Sequence, residues 1–296
     1  MGYCLGIDIG GTKTAIGLSD GAPIPKKTIV FPTRSERGPL DLVRRIAEHS
    51  RALMQECGAD AIAFAGAACP GPLDVKGGRI IHIATMGFSD VPIRQMLADA
   101  LGVPVYLEND ANCAALAEYA VGVAKGSDPL VYVTVSTGVG CGIVVNGQIL
   151  SGATSSAGEL GHLTVEPKGR LCDCGKRGCL ERYASGTAIA REAGLDTKEV
   201  FDRAREGDEA MLSIVHDAAD RLGLGLSSVY HLLDPQAIVL GGSVTRSYDV
   251  FAAPLAKALD AYTQPIKGRV GQIYLSGFDG EQGVIGAILY GQQQHK

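Results

Sequence analysis

The sequence predicts an α/β protein built from two similar domains that face each other across a cleft. Helical and strand patterns alternate along most of the 296 residues, as in α/β domains. A strand, a glycine-rich turn and a returning strand occur twice, with Gly11 and Gly138 at equivalent points. We expect a small domain over 1–120, a larger one over 121–280, and a C-terminal helix over 281–296 that packs back on the first domain.

The first domain is expected to begin with a hairpin, formed by strands over 3–9 and 14–18 around the turn Gly10-Gly11-Thr12. Because a strand and not a helix follows the glycines, neither the dinucleotide-binding fingerprint nor the P-loop is present. The other predicted elements are a helix over 39–57, strands over 60–65 and 79–84, a helix over 92–101, a strand over 103–107 and an alanine-rich helix over 111–120.

The second domain repeats the hairpin over 130–149, with Ser136-Thr137-Gly138-Val139-Gly140 as its turn. The two turns lie too far apart for a solenoid repeat, which indicates one hairpin in each domain. The later predicted elements are helices near 186–192, 197–206 and 208–233, a strand over 236–240, a helix over 249–262, a strand over 270–275 and a last helix from about 281. No low-complexity linker separates the halves.

Composition and charge favour a globular protein and argue against several partners. The chain has 40 glycines, 20% charged residues and a net charge of -5. Without a basic run, this charge argues against a nucleic-acid partner. The N-terminus has no basic stretch followed by an apolar one, and no run of about 18 apolar residues occurs. We therefore expect a cytoplasmic protein with no membrane partner.

The densest group of candidate metal ligands lies in segment 159–181. His162 is followed by Cys172, Cys174 and Cys179, and imidazole and thiolates are the ligands that tetrahedral zinc prefers. Four ligands fill the coordination shell, so the predicted ion is structural and holds the glutamates at the two ends of the segment near each other. A cysteine-rich surface turn or a disulfide pair is the alternative. The other five cysteines are best explained as small buried hydrophobic residues.

The two glycine-rich turns form a candidate phosphate site together with Asp8. Glycine allows backbone N–H groups to approach phosphates closely. Asp8 follows apolar residues at a strand end, where an unpaired buried carboxylate is costly. A magnesium–phosphate cluster would give it a partner. Two tight hairpins, one of them capped by Asp8, are the alternative.

Glu108-Asn109-Asp110 ends a strand and enters a helix. Asp110 is either a simple N-cap or a general base that the helix N-terminus keeps ionised. The neighbouring Asn109 amide suits a sugar hydroxyl.

Two further turns carry weaker signals. Leu240-Gly241-Gly242-Ser243 either forms a flat floor for a purine or is a plain strand-to-helix turn. Cys69-Pro70-Gly71-Pro72 is a rigid turn that either lines the cleft or only connects two strands.

Taken together, these motifs resemble those of the ROK family of bacterial sugar kinases, in the actin/hexokinase/Hsp70-like superfamily of ribonuclease H-like domains. Residues 8–13 are similar to the first phosphate motif of the family and residues 136–140 to its second. Residues 240–242 are similar to its adenosine motif, and segment 159–181 to its joint sugar and zinc signature. The resemblance extends from residue 3 to about 290.

The resemblance implies a role for each matching residue. The implied sugar ligands are Asn109, Asp110, Glu159, His162 and Glu181, with Asp110 as the catalytic general base. Gly71, in the rigid turn over 69–72, is a further candidate for sugar binding. The implied ligands of ATP and Mg²⁺ are Asp8, Gly10, Gly11, Thr12, Lys13, Thr137, Gly138, Gly241 and Gly242. Structural Zn²⁺ is bound by His162, Cys172, Cys174 and Cys179, and His162 meets the sugar through its other ring nitrogen.

The resemblance implies an ATP-dependent hexose kinase that acts on C6 of glucose. We also expect the protein to form a homodimer. Family glucokinases carry Pro-Asn-Leu before a Trp in the first domain, whereas this chain has Ala84-Thr85-Met86-Gly87-Phe88-Ser89. Residues 134–140 and 240–244 are similar to bacterial N-acetylmannosamine kinases. A hexosamine kinase is therefore the alternative to a glucose kinase.

Non-enzyme functions are also compatible with this superfamily. The sugar-responsive repressors of the family carry a helix-turn-helix module before the kinase-like part, and a phosphate motif at Asp8 is expected to leave no room for one. An actin-like or Hsp70-like nucleotide switch would not need the sugar and zinc signature. A sugar sensor without catalysis would be expected to lose Asp110. We therefore expect an enzyme.

Overall fold

The computed structural model describes residues 2–268 and 270–295 as a mixed α/β protein. The strands are β1 (Tyr3–Ile9), β2 (Lys13–Ser19), β3 (Lys27–Pro32), β4 (Ile62–Cys69), β5 (Leu73–Asp74), β6 (Arg79–Ile83), β7 (Phe88–Val91), β8 (Val105–Asn109), β9 (Leu130–Val135), β10 (Val139–Val145), β11 (Gln148–Ile149), β12 (Ala237–Gly241) and β13 (Gln272–Leu275). The α-helices are α1 (Gly38–Glu56), α2 (Ile93–Leu101), α3 (Asp110–Val121), α4 (Glu181–Ala184), α5 (Gly186–Ala193), α6 (Thr197–Arg205), α7 (Glu209–Leu233), α8 (Tyr248–Tyr262) and α9 (Gln282–Gln294).

Two five-stranded sheets share one topology. The first has the order β3-β2-β1-β4-β8 and the second the order β11-β10-β9-β12-β13. In each, an antiparallel hairpin (β1 with β2, β9 with β10) is followed by two parallel pairings. The repeated strand–turn–strand pattern in the sequence is therefore a repeated sheet. A third, antiparallel sheet of three short strands has the order β5-β6-β7.

The chain forms two compact units. The first comprises the residues up to Lys125, the segment Gly147–Ala157 and the chain from Gly277 onward. The second comprises Gly126–Asn146 and Gly158–Ser276. Segment Gly147–Ala157 thus lies with the first unit, although the predicted boundary assigns it to the second domain. Helix α9 packs on β1, β4 and α3 within the first unit.

The central strands are buried because parallel strands are covered on both faces. All five residues of β12 are buried, as are the last six of β4. Small residues let α9 approach closely: a Cβ on Gly286 would lie 1.8 Å from the carbonyl oxygen of Cys113 on α3. A Cβ on Gly66 of β4 would likewise lie 1.8 Å from the carbonyl oxygen of Ala287 on α9. The helix that begins at Asp110 is therefore packed directly against the C-terminal helix.

The structure also bears on membrane insertion. None of the helices in residues 2–268 and 270–295 combines the length and the apolar character that a membrane span requires.

Candidate active site

The first glycine-rich turn joins β1 to β2 and is held by Thr33, which follows β3. The Gly10 N–H donates to the carbonyl of Lys13 (3.0 Å), and the Thr33 hydroxyl donates to the carbonyl of Gly10 (2.6 Å). A Cβ on Gly10 would lie 2.8 Å from the Lys13 oxygen, whereas one on Gly11 would meet nothing closer than the Thr85 hydroxyl at 3.8 Å. The turn itself therefore requires Gly10, while Gly11 borders open space.

Asp8 lies near the end of β1 with its carboxylate against the first turn of α9. A Cβ on Gly283 would lie 2.4 Å from Asp8 Oδ2. Burial, together with repulsion from the Asp110 carboxylate, raises the pKa of Asp8 to about 7, against the opposing effect of Lys13. The Asp110 carboxylate is thus near enough to disfavour the charge of Asp8. Carboxylates combined with phosphate oxygens suit Mg²⁺, so this pair fits that ion.

Asn109 ends β8 and is the N-cap of α3. Its Oδ1 accepts the N–H groups of Ala111 (2.9 Å) and Asn112 (3.3 Å). The simple N-cap interpretation of Asp110 is therefore wrong. Asp110 is the first helical residue, and its Oδ1 accepts the Ala111 N–H at 2.8 Å. Capping occupies the Asn109 oxygen and leaves Nδ2 as the donor, which would lie 3.5 Å from a Cβ on Gly71.

The second glycine-rich turn joins β9 to β10 and holds the carboxylate of Glu181, which opens α4. The Val139 N–H donates to Glu181 Oε2 at 2.9 Å. A Cβ on Gly138 would lie 2.4 Å from the same oxygen. Gly138 therefore makes room for a carboxylate of its own unit. Thr137, which precedes it, lies in the tip of this turn.

The Gly241-Gly242 turn lies beside the second glycine-rich turn. A Cβ on Gly241 would lie 2.3 Å from the hydroxyl oxygen of Tyr132, so this position has no room for a side chain. Gly242 adopts a φ of 95°, which other residues rarely reach. The hydroxyls of Ser136 and Ser243 lie 3.1 Å apart and connect the two turns. The second unit thus brings the predicted second phosphate and adenosine motifs together.

The four predicted zinc ligands converge in the second unit. Their donor atoms all lie within 4.8 Å of one another. His162 Nδ1 is 3.8 Å from Cys172 Sγ, and Cys174 Sγ is 3.6 Å from Cys179 Sγ. The latter separation is far longer than a disulfide bond of about 2.05 Å, so the disulfide alternative is wrong for this pair. Metal–ligand bonds of about 2.0–2.3 Å fit such a group, and the donor set suits structural zinc.

His162 has its two ring nitrogens in different surroundings. Nδ1 faces the cysteine cluster, whereas Nε2 lies 3.9 Å from Oε2 of Glu159, the residue before the short helical turn Leu160–His162. Lys176 donates to the main-chain carbonyl of His162 at 2.8 Å. The imidazole therefore connects the cysteine cluster to a half-exposed carboxylate.

Comparison with known proteins identifies the family. The model of the ROK family matches residues 4–294. The chain belongs to the ROK family. Its relatives in this family include a glucokinase from Thermotoga maritima, 33% identical over 96% of this chain and 95% of that protein. An N-acetylmannosamine kinase from Escherichia coli is 34% identical over 97% of each chain.

Solved structures agree with the family assignment. A ROK hexokinase from Thermus thermophilus has a TM-score of 0.89 and 38% identity, with coverage of 99% of this chain and 98% of that one. A ROK glucokinase from Streptomyces griseus, solved with glucose and AMPPNP, has a TM-score of 0.81 and 29% identity, with coverage of 99% and 100%. The predicted ROK resemblance and the actin/hexokinase-like α/β fold are confirmed.

Three residues shape the site although no role was predicted for them from the sequence. Thr33 holds the first turn, but it follows an edge strand with little hydrophobic alternation. Gly283 accommodates Asp8 and has no local signal, since its role depends on the packing of α9. Glu108 does have a signal, because a charged residue at the end of an apolar strand is costly to bury.

Proposed function

We propose that this ROK protein is an ATP-dependent sugar kinase that transfers the γ-phosphoryl group of ATP to the C6 hydroxyl of glucose. The observation that carries the proposal is the pair Asp8 and Asp110 beside the Gly10–Lys13 turn. One carboxylate suits the metal-bound phosphates, and the other, at the N-terminus of α3, suits a sugar hydroxyl. The likeness to two glucokinases supports glucose as the acceptor.

Asp110 acts in this proposal as the general base. A carboxylate at a helix N-terminus stays ionised and accepts the proton of the attacking hydroxyl. Asn109 donates through Nδ2 to a neighbouring sugar hydroxyl, because its oxygen already caps α3. Gly71 leaves space next to that donor.

Glu159, His162 and Glu181 are the further sugar ligands in this proposal. His162 offers Nε2, since Nδ1 faces the cysteines. Glu181 is oriented by the Val139 N–H. A zinc ion bound by His162, Cys172, Cys174 and Cys179 would keep these side chains in place. Paired donors and acceptors of this kind discriminate between sugars, because a mismatched hydroxyl leaves a buried polar group unpaired.

The phosphates of ATP bind to the two glycine-rich turns in this proposal. Gly10, Gly11, Thr12 and Lys13 supply backbone N–H groups and one cation, and Thr137 and Gly138 supply the second turn. Gly241 and Gly242 support the adenine. Mg²⁺ held near Asp8 would neutralise the charge of the phosphates, and phosphoryl transfer depends mainly on such positioning and neutralisation.

An ADP-release assay tests the proposal. Purified protein with ATP and Mg²⁺ is given glucose, mannose, fructose, allose, N-acetylglucosamine or N-acetylmannosamine in parallel. We expect glucose to give the highest kcat/KM. Absence of sugar-dependent ADP release with every sugar would contradict the kinase assignment.

N-acetylmannosamine is the second candidate substrate, favoured by the 34% identity to the E. coli kinase. Segment Ala84–Met86 lies next to the first turn through Thr85, whose hydroxyl borders the space above Gly11. A small side chain there is compatible with a bulkier sugar. A tenfold preference for N-acetylmannosamine, worth about 1.4 kcal/mol in transition-state binding, would replace glucose and leave the kinase mechanism unchanged.

The non-enzyme alternative is a sugar-sensing nucleotide switch. It predicts that sugar and ATP bind without turnover, so calorimetric binding of both in a protein that releases no ADP would favour it. The cytoplasmic location and the homodimer stay predictions from the sequence. Light scattering of the purified protein at micromolar concentration tests the dimer.

A further inference from the structure

Glu108 is a fully buried carboxylic acid at the end of β8, directly before the proposed sugar ligands. Its Oε1 accepts the main-chain N–H of Asn109 at 2.8 Å and the side-chain amide of Asn112 at 3.0 Å. The hydroxyl of Tyr290, from α9, faces the same carboxyl group. One side chain therefore connects the end of β8, the first turn of α3 and the C-terminal helix.

The two hydrogen bonds of Glu108 come from residues on either side of Asp110 in the sequence. One goes to the residue before Asp110 and the other to the residue two positions after it. One donor is the backbone N–H of Asn109 and the other is the side-chain amide of Asn112 in the first turn of α3, so together they restrain the angle at which α3 leaves β8. Asn109 and Asp110 change direction whenever this junction moves.

Stability alone does not explain a carboxyl group in this place. Two buried acceptors, Glu108 Oε2 and Asn112 Oδ1, have no hydrogen-bond partner among the residues that the structure describes. Burial raises the pKa of Glu108, although the hydrogen bonds from Asn112 and Asn109 and the nearby Tyr290 hydroxyl oppose this rise. An incompletely satisfied buried polar group stabilises a fold little or not at all, and apolar replacements of similar volume are often as stable.

We infer that Glu108 is a positioning residue for phosphoryl transfer: its carboxyl fixes the strand-to-helix junction that aims the Asn109 amide and the Asp110 carboxylate. The inference rests on the proposed kinase function. It assigns Glu108 no contact with the sugar or with ATP, since its side chain has no exposed surface. Its effect on the reaction passes through the backbone of Asn109 and the side chain of Asn112.

Two replacements of Glu108 separate positioning from packing. Glu108→Gln retains an oxygen that accepts from Asn109 and Asn112, so its kcat is expected to stay within about threefold of the parent. Glu108→Met keeps the volume but removes the acceptor, and kcat is expected to fall about 10–100-fold, because small displacements of catalytic groups are costly. KM for ATP is expected to change less than about twofold, since the phosphate turns lie on other strands.

Glu118→Met is the matched control. Glu118 is a fully buried glutamate in the last turns of α3, where its Oε2 accepts the Val123 N–H at 3.1 Å. This variant is expected to keep the parent kcat, because Glu118 lies two turns of α3 away from Asp110. If Glu108→Met does not fold, Asn112→Ala removes the amide donor instead and is expected to lower kcat by about 3–10-fold through the same junction.

The outcomes separate this inference from the proposed function. An active wild type with a slow Glu108→Met, rescued by Gln, supports the positioning role. If the wild type is active but Glu108→Met keeps the parent kcat, the inference is overturned and the kinase assignment stays intact. The same holds if Glu118→Met loses as much kcat as Glu108→Met. A folded wild type that phosphorylates no sugar overturns the proposed function itself.

Discussion

At the position of Asp110, the structure distinguishes between two roles that the sequence allowed. Asn109 supplies the capping oxygen of α3, so Asp110 is not needed as the N-cap. It lies in the first turn, close enough to Asp8 to raise the pKa of that residue. Two acidic groups so close together beside the first glycine-rich turn are costly to keep without a cation and a substrate, which favours a catalytic role.

Replacement of Asp110 by Asn is expected to lower kcat by roughly 10²–10⁴-fold, because the variant cannot accept the hydroxyl proton. The sugar dissociation constant is expected to change by less than about tenfold, since the amide still forms hydrogen bonds. ADP release and calorimetry measure the two quantities. Asp99→Asn on α2, where the carboxylate accepts from Gln95 at 2.8 Å, is the control. A parent-like kcat in Asp110→Asn would show that another group is the base.

Gly10 and Gly11 are expected to respond differently to Ala. A Cβ on Gly10 collides with the Lys13 carbonyl, whereas a Cβ on Gly11 points into open space. Gly11→Ala should therefore keep the parent melting temperature within about 2 °C and raise KM for ATP about tenfold or more by blocking the phosphate approach. Gly10→Ala should lower both stability and activity. An unchanged KM in Gly11→Ala would exclude phosphate binding at this turn.

Asp8 is expected to make stability depend on pH. Its pKa in the folded protein is about 7, above the ordinary value of 3.8, so the folded state holds the proton more tightly than the unfolded state. The stabilisation is fully present below pH 3.8 and is lost as the pH rises to about 7. The loss is on the order of a few kcal/mol, at about 1.4 kcal/mol per pKa unit.

Asp8→Asn lacks this titration, so the variant should gain stability relative to the wild type between pH 5 and pH 8. Denaturant unfolding without Mg²⁺ measures the difference, and Asp99→Asn is again the control. If the free energies of unfolding of the wild type and the variant differ by the same amount at pH 5 and pH 8, the raised pKa of Asp8 is contradicted.

At the scale of elements, segment 159–181 is the part of the chain that a bound metal ion would be expected to stabilise most. Between Leu163 and Leu180 the described backbone has only two isolated bridges, Thr164 with Cys179 and Leu171 with Arg177. Turn hydrogen bonds, such as that from the Leu180 N–H to the Leu163 carbonyl at 2.9 Å, join parts of this stretch, but its described backbone has no helix or continuous strand. A metal ion bound by the four convergent side chains would fix the shape of this segment, and in the sequence these side chains lie between the proposed sugar ligands Glu159 and Glu181.

Metal analysis of the purified protein is expected to give about one zinc per chain, as a single four-ligand site implies. Cys174→Ala should lose the metal, expose the segment to proteolysis and reduce activity. Cys57→Ala, which changes a cysteine outside this cluster, is the control for thiol removal. A metal-free protein that keeps full activity and resists proteolysis in this segment would contradict a structural zinc site.

Most elements were predictable from the sequence because their signals are local. The predicted helix over 39–57 corresponds to Gly38–Glu56, and the predicted strand over 236–240 to Ala237–Gly241. Only β6 of the third sheet was predicted, as the strand over 79–84. The strands β5 and β7 were missed, because they have two and four residues and no clear alternation. The helix Glu181–Ala184 was also missed, since four residues carry no periodic pattern.

The site shows the same division between local and distant signals. The predicted zinc ligands and the glycine-rich turns could be found from the sequence because their spacing is short. The contacts that hold them were not, because they join distant parts of the chain: Glu181 with the Val139 N–H, and Gly283 with Asp8. Such contacts follow from packing, which a single sequence does not display.

At the scale of the whole molecule, the central claim is that the protein transfers phosphate from ATP to a sugar. Phosphorus NMR of a reaction with wild-type protein, ATP, Mg²⁺ and glucose observes both products directly. We expect glucose 6-phosphate and ADP to appear in equal amounts. Two results would contradict this claim. One is the appearance of ADP and inorganic phosphate without any sugar phosphate. The other is unchanged ATP in a folded, zinc-loaded sample given every sugar of the panel.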